Sequence, residues 1–181
     1  MRSVEYYGIR KQIKDGDIFL YNGSGVMSSA IHYFDNDYYN HTGIAFWLKD
    51  RLFTVEMWSN GIQIIPLSRR VKSYNNFCFL RPMVNEQKIK DGIYDMISKV
   101  ERDIKYNYAL LPRIALYKKT GIDLVGMDNR KRDICSELVQ QYTNVLGLDC
   151  YKDAKLITPQ DFLRLINTTN VSIFFDVSSK V

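Results

Sequence analysis

Short runs of β-branched and aromatic residues, separated by Gly, Asn and Pro, fill the first half of the chain and predict strands. The longest of them, residues 41–58, has two apolar arms on either side of the polar pair Lys49 and Asp50, which is typical of a β-hairpin. The predicted strands are 15–23, the two arms of 41–58, 61–67, 76–83 and 171–177.

In the second half, the apolar residues recur every three or four positions, which predicts helices. The segment 106–127 is less regular because Pro112 interrupts it, and it predicts only a short helix and a loop. The polar, basic stretch 117–132 is the part of the chain expected to be most mobile. The predicted helices are 24–37, 86–104, 133–147 and 158–167.

Two of these helices carry their own start signals. Asp133 is placed to cap the helix 133–147, and Gly147 suits its end. Thr158 is the predicted N-cap of the last helix, with Pro159 as its first residue and Asp161 completing a box-like start.

The order of elements, strands first and mostly helices afterwards, is typical of an α+β fold with an antiparallel sheet rather than a doubly wound parallel one. The 181 residues are consistent with a single domain over 1–181 that can bury a sizeable core.

The charge and the cysteine count limit the function classes. The formal net charge is +5 and the pI is about 9.0, which a solvated basic surface explains without nucleic acid. An odd set of irregularly spaced cysteines argues against a disulfide framework or a zinc site and favours a reducing compartment. The first residues lack the apolar core of a signal peptide, and no apolar run reaches about 18 residues, so we expect a cytoplasmic protein. The cysteines are Cys78, Cys135 and Cys150.

Cys135 falls in the first turn of the predicted helix 133–147, directly after Arg130, Lys131 and Arg132. The unpaired N–H groups and the positive dipole end of a helix start favour a thiolate over a thiol. The same N–H groups can donate to the oxyanion of an acyl-transfer intermediate. Packing in the core is the alternative interpretation, because cysteine is among the residues most often buried.

A cysteine nucleophile needs a base, and the chain has two histidines, His32 and His41. His32 follows the apolar pattern of the helix 24–37, which favours a structural role. His41 starts the first arm of the hairpin and Glu56 lies near the end of the second, so the two are candidate cross-strand neighbours. An inward-facing Glu56 needs a partner such as an imidazole, whereas the alternative is a solvent-facing glutamate on an alternating strand.

An HTGI strand, a following strand with VEMW, a helix that starts CSELV and a later helix that starts with TP occur in that order. This order resembles the circularly permuted branch of the NlpC/P60 papain-like superfamily, and most closely its YiiX/YebB-like members. The resemblance covers roughly residues 15–166. The motifs that carry it are GDIFLYNGSG, YNHTGIAFW, VEMWSNGIQIIPL, KYNY, DICSELVQQY and ITPQDFL.

The resemblance implies a papain-like fold in which an antiparallel sheet or partial barrel packs against the helix that carries the cysteine. It implies Cys135 as the nucleophile, His41 as the general base and Glu56 as the residue that orients the base. The backbone N–H groups of Cys135 and Ser136 would bind the oxyanion, and Tyr106 matches a tyrosine that the family often has before the Cys helix. This chemistry requires no metal and no organic cofactor.

The expected function is that of a cysteine hydrolase or acyltransferase, either a peptidase or amidase or a lipid acyl hydrolase. Its substrate would have an amide, ester or thioester bond in a peptide or a lipid-derived acyl group. Tyr38, Trp58 and Tyr106 are the candidate substrate-binding residues, although the aromatic side chains could equally complete the core. A lipid substrate is compatible with peripheral contact to a membrane, and a viral source is compatible with the resemblance.

Two other interpretations stay open. A catalytically inactive descendant could bind a lipid or a protein partner in the same groove, because a complete triad can outlive its activity. A nucleic-acid-binding protein is suggested only by the pI, and it is the weakest interpretation because the basic residues are scattered along the chain.

Overall fold

The computed structural model describes residues 3–23, 38–73, 77–102, 104–108, 110–122, 132–148, 156–167 and 171–176. The strands are β1 (Ile18–Tyr21), β2 (His41–Leu48), β3 (Arg51–Trp58), β4 (Gly61–Pro66), β5 (Phe77–Pro82), β6 (Lys105–Tyr106), β7 (Arg132–Asp133) and β8 (Val171–Asp176). The α-helices are α1 (Ser3–Arg10), α2 (Leu67–Ser73), α3 (Glu86–Ser98), α4 (Leu110–Thr120) and α5 (Cys135–Val145). Two 3₁₀ helices cover Lys99–Arg102 and Pro159–Asn167.

Six strands form one open sheet in the order β4-β3-β2-β1-β5-β8, and every neighbouring pair is antiparallel. The α+β class and the antiparallel sheet are therefore confirmed, and the described strands do not close into a partial barrel. The hairpin turns at Lys49 and Asp50 as predicted, with Lys49 in the left-handed region at φ 55°. The short strands β6 and β7 form a separate parallel pair.

The sheet is buried on both faces. Side chains alternate along a strand, so β1 sends Ile18 and Leu20 to one face and Phe19 and Tyr21 to the other. The first face packs against α3, α4 and α5, and the second packs against α1 and α2. Because β1 and the first four residues of β5 are covered on both sides, their sequences, IFLY and FCFL, are continuous runs of apolar and aromatic residues.

The sequence pattern did not predict α1 or α2. The second of these, LSRRVKS, has only seven residues, and of its described side chains only Leu67 and Val71 are buried, which is too few to give a helical period. Its place is decided by packing of those two side chains against the sheet.

The helix predicted over 86–104 ends as an α-helix at Ser98 and tightens into the 3₁₀ helix that follows. In contrast, α4 runs through Pro112 without a break. Pro112 is the third residue of α4, where a backbone N–H would have no carbonyl partner within the helix.

Asp17 has a structural role at the start of β1. Its buried carboxylate accepts hydrogen bonds from Arg81 Nε (2.9 Å) and Nη2 (2.7 Å) and from the backbone N–H of Lys14 (2.7 Å). A paired Arg fork of this kind offsets the cost of burying a carboxylate.

Some predictions fall on residues outside the described part of the chain. These are the helix 24–37 with His32, the section 123–131 of the expected mobile loop with Arg130 and Lys131, and Cys150. None of the described helices has both the length and the apolar character that crossing a bilayer requires.

Candidate active site

The structure brings the three side chains of the expected triad together. His41 is the first residue of β2, Glu56 lies in β3 and Cys135 is the first residue of α5, which packs against both strands. His41 Nε2 lies 3.1 Å from Glu56 Oε2, and the Cys135 sulfur lies within hydrogen-bonding reach of the same imidazole. His41 therefore contacts a carboxylate and a thiol at once.

Strand register explains how His41 meets Glu56. The β2–β3 pairing ends at Ile44 and Val55. Continued along both strands, it brings Gly43 opposite Glu56 and His41 opposite Trp58, so His41 and Glu56 are diagonal neighbours on one face. Gly43 leaves room for the glutamate, because a Cβ there would lie 2.7 Å from both Glu56 Cγ and Phe19 Cζ. A glycine in the middle of β2 thus lets the carboxylate lie across the strand toward the imidazole.

Glu56 has no solvent-exposed surface and, within the described part of the chain, accepts hydrogen bonds from five side chains. Burial raises the pKa of Glu56, but the hydrogen bond and charge of His41, then the charge of Arg70 and the Thr54 hydroxyl, outweigh it and lower the pKa to about 2. The carboxylate is therefore ionised at neutral pH. Its donors are Tyr21 Oη (3.3 Å), His41 Nε2 (3.1 Å), Thr54 Oγ1, Trp58 Nε1 (2.8 Å) and Arg70 Nε (3.1 and 3.2 Å).

Two aromatic rings hold the imidazole of His41 in place. Tyr21 and Trp58 each have a ring centroid 4.9 Å from that of His41, and the histidine side chain is only 13% exposed. Burial lowers the pKa of His41, but the Cys135 thiolate and then Glu56 outweigh it and raise the pKa to about 9. Its neighbours thus favour the imidazolium form at neutral pH.

The residues just before His41 are fixed by hydrogen bonds. Buried Asn40 accepts from the N–H of Gly23 (2.7 Å) through Oδ1 and donates to Asn22 Oδ1 (3.1 Å) through Nδ2. The N–H of Tyr39 donates to Gln160 Oε1 (3.1 Å), which joins this segment to the last 3₁₀ helix. These bonds set the point at which β2 begins, and so the position of His41.

The predicted N-cap of the cysteine helix was wrong by one residue. Ile134, not Asp133, is the N-cap of α5, and Glu137 Oε2 reaches back to accept from the Ile134 N–H (2.9 Å). Asp133 lies one residue before the cap, where it pairs with Tyr106 in the parallel β6–β7 ladder. Cys135 is therefore the first helical residue, closer to the dipole end than the sequence pattern indicated.

The predicted oxyanion donors lie at this helix start. The backbone N–H groups of Cys135 and Ser136 precede the first bond of the helical pattern, which runs from the Leu138 N–H to the Ile134 carbonyl (3.1 Å). Ser136 has a second role, because its buried hydroxyl donates to the Ile157 carbonyl (2.6 Å). That bond ties α5 to the chain just before the last 3₁₀ helix.

Tyr106 lies beside the thiol. Its side chain is 3% exposed, and within the described residues its hydroxyl has no hydrogen-bond partner. Burial, followed by the Cys135 thiolate and then the Tyr108 and Glu137 side chains, raises the pKa of Tyr106 above its ordinary value. The phenol is therefore protonated and can serve as a donor.

The other two predicted substrate-binding residues differ in their contacts. Tyr38 is half-buried with its ring edge-on to Tyr39 at 4.9 Å. Trp58 is also half-buried, but its indole N–H bonds Glu56 and its ring face is covered by Arg70 at 4.0 Å. The sequence interpretation missed Arg70, which is a charged member of the site. The feature that could have indicated such a residue is Glu56, because a buried glutamate needs a cationic partner.

Comparison with known proteins identifies the fold. No protein-family model and no curated protein sequence matches the chain. Among solved structures, the chain is similar to the metalloprotein YiiX from Escherichia coli O157:H7 (DUF1105), with a TM-score of 0.63 and 14% sequence identity. The match covers 91% of this chain and 98% of that chain. The chain therefore shares the fold of YiiX, as its YiiX-like motif order predicted.

The metalloprotein description belongs to YiiX. In the part of this chain that the structure describes, no group of three or more His, Cys, Asp or Glu side chains is arranged to hold a metal ion.

Proposed function

We propose that this protein is a cysteine hydrolase or acyltransferase with a permuted papain-like fold of the NlpC/P60 type. Cys135 is its nucleophile, His41 its general base and Glu56 the residue that orients the base. The observation that carries the proposal is the imidazole of His41, which is bonded to Glu56 through Nε2 and lies within reach of the Cys135 sulfur.

The reaction starts from an ion pair between the Cys135 thiolate and the His41 imidazolium, in which the thiol proton already lies on His41. Because Nε2 bonds Glu56, Nδ1 is the ring nitrogen that carries this proton. The thiolate then attacks the substrate carbonyl, a carbon–sulfur bond forms, and the carbonyl electrons move onto oxygen. When the intermediate collapses, the leaving amine, alcohol or thiol takes the proton from His41, and a thioacyl enzyme remains.

Water or another acceptor resolves the thioacyl enzyme by the same steps in reverse. His41 removes a proton from the acceptor, the acceptor attacks the thioester carbonyl, and the thiolate leaves, which restores its ion pair with the His41 imidazolium. Hydrolysis and acyl transfer thus differ only in the acceptor that reaches the site.

The oxyanion is held by donors at the start of α5. The backbone N–H groups of Cys135 and Ser136 provide two of them, and the protonated phenol of Tyr106 is a third donor beside the sulfur. Tyr106 is supported in this role by its burial and by its hydroxyl, which has no partner among the described residues.

The substrate we propose is a peptide or a lipid-derived acyl group. Cys135 is surrounded by apolar side chains of the core that α5 shares with the sheet, and Tyr38 packs against this core from its edge. An apolar surround favours an acyl chain or an apolar peptide side chain beside the scissile carbonyl.

A catalytically inactive binding module on the same fold is the second candidate. The observation that favours it is the burial of Cys135, whose exposed fraction is only 2%, because a nucleophile must be reached by its substrate.

Replacement of Cys135 by Ala tests the proposal. Turnover of a panel of peptide amides, acyl esters and acyl thioesters should fall by at least about a hundredfold, because the thioacyl intermediate cannot form. The variant should remain folded, since a cysteine and an alanine differ little in volume. Turnover that persists in a well-folded Cys135→Ala protein would eliminate Cys135 as the nucleophile.

Alkylation with iodoacetamide near neutral pH separates the enzyme from the binding module. Site-resolved mass spectrometry should show Cys135 modified much faster than Cys78, which is fully buried and serves as the control within the same chain. His41→Gln should slow the modification of Cys135 and leave that of Cys78 unchanged. Equal, slow modification of both thiols would favour the inactive module.

A further inference from the structure

Arg70 reaches the site from α2, which packs on the face of the sheet opposite α5. Its Nε–H is shared between the two oxygens of Glu56, at 3.2 Å from Oε1 and 3.1 Å from Oε2. Its guanidinium carbon lies 4.0 Å from the centroid of the Trp58 ring, and the arginine side chain is 14% exposed.

Glu56 needs the charge of Arg70 because its other hydrogen-bond donors do not compensate its negative charge through the whole reaction. Tyr21, Thr54 and Trp58 donate to Glu56 as neutral groups, which satisfies its lone pairs but not its charge. His41 loses its charge whenever it gives up its proton. Arg70 keeps its charge at every accessible pH and so compensates Glu56 through the whole cycle.

The contacts of Arg70 also fix the direction of the carboxylate. One face of its guanidinium stacks on the Trp58 ring, while its Nε–H holds Glu56, to which the Trp58 indole N–H also donates. Movement of the arginine would therefore break both its bond to Glu56 and its stacking on Trp58. A planar cation stacked in this way is pre-organised, which a lysine in its place would not be.

We propose that Arg70 is a positioning residue of the site, which compensates the buried charge of Glu56 beside His41 and acts on Cys135 only through those two side chains. The role rests on the proposed function, because positioning has a consequence only where His41 and Cys135 react. Its test below does not require turnover.

Among the residues that the structure describes, the titratable and charged groups around the imidazole are Tyr21 from β1, Glu56 from β3 and Cys135 from α5, with Arg70 behind Glu56. Removal of the Arg70 charge leaves His41 as the one described cation that compensates the negative charge of Glu56. The proton on His41 should then be held more tightly, and the pKa of His41 should rise.

Arg70→Met and Arg70→Gln measure this effect by NMR titration of the imidazole, in a chain with only two histidines. The titration midpoint of His41 should move upward by on the order of one pH unit in both neutral variants. The glutamine variant can still donate a hydrogen bond to Glu56 and serves if the methionine variant does not fold. Arg69→Met, which removes the same charge from the exposed neighbouring position, should leave the midpoint unchanged.

Arg70→Lys separates the charge from the planar guanidinium. It should return the midpoint of His41 toward that of the wild type, while alkylation of Cys135 by iodoacetamide should be slower than in the wild type because the carboxylate is less firmly held. The proposal is overturned if the midpoint is unchanged in a folded neutral variant, or if Arg69→Met moves it equally. Absence of turnover with a shifted midpoint would count against the proposed function and leave the positioning role of Arg70 standing.

Discussion

The Glu56 carboxylate in β3 has no exposed surface. Its neighbours along the strand, Val55 and Met57, pack in the core on the other face of the sheet. Burial of such a charge costs several kcal/mol unless polar partners surround it. Glu56 has those partners, and His41 is the one among them that also reaches Cys135. The requirement to compensate one buried charge therefore fixes the orientation of the imidazole.

Gly43→Ala tests this arrangement at a single residue. The new Cβ would lie 2.7 Å from Glu56 Cγ and 2.9 Å from the Val55 carbonyl oxygen, so the glutamate must shift away from His41. Urea denaturation should show a loss of about 1–3 kcal/mol in the free energy of unfolding. Alkylation of Cys135 should slow as well.

Gly8→Ala is the matched control. Gly8 lies in α1, and a Cβ there would meet nothing within 4 Å. Removal of a helical glycine should stabilise the protein by about 0.5–1 kcal/mol and leave the alkylation rate unchanged. The steric account of Gly43 fails if its alanine variant is as stable as the wild type.

At the scale of elements, the start of α5 is fixed from two sides. The parallel β6–β7 ladder holds Asp133 two residues before Cys135, and the Ser136 hydroxyl bonds the Ile157 carbonyl one residue after it. These two links therefore hold the Cys135 sulfur in a fixed position beside the first residue of β2, which is His41.

Ser136→Ala tests the second of these links. It leaves the backbone N–H of Ser136 in place but removes a buried bond to Ile157, which should cost about 1–3 kcal/mol of unfolding free energy. Ser98→Ala deletes a hydroxyl that bonds the Asp95 carbonyl within one helix, so its cost should be only a few tenths of a kcal/mol. Equal costs for the two variants would show that the link between elements contributes nothing.

At the scale of the whole molecule, the buried pair should shape the pH dependence of stability. The pKa of His41 is raised from 6.5 to about 9, so its contribution is complete below about pH 6.5 and is lost as the pH rises through 9. The pKa of Glu56 is lowered from 4.5 to about 2, so its contribution is present above about pH 4.5 and is lost as the pH falls through 2. The pair of His41 and Glu56 should therefore stabilise the fold most between about pH 4.5 and about pH 6.5.

Comparison of the wild type with His41→Gln isolates the alkaline part of this dependence. The difference in their unfolding free energy should shrink by about 3 kcal/mol between about pH 6 and pH 10, because the imidazolium is lost only in the wild type. Urea denaturation across this range gives the difference directly. A difference that is independent of pH would contradict a raised pKa of His41.

Several elements could be predicted from local pattern alone. The hairpin followed from its two apolar arms and the Lys49-Asp50 turn, and the last helix start followed from Thr158 and Asp161, whose carboxylate accepts from the Thr158 N–H at 2.9 Å. That helix is a 3₁₀ rather than an α-helix, which its start signal does not distinguish. The Asp133 cap was wrong because the helix begins one residue later, and Asp133 belongs to the long-range ladder with Tyr106.

The sequence by itself determined the α+β class, the antiparallel character of the sheet and the residue types of a thiol, an imidazole and a carboxylate, because these depend on local periodicity and on motif order. Only the tertiary structure placed Cys135, His41 and Glu56 in contact and added Arg70 to them. The physical reason is that Arg70 approaches Glu56 from a separate helix. The need of a buried carboxylate for a cation produces no repeating pattern along the sequence from which the partner could be predicted.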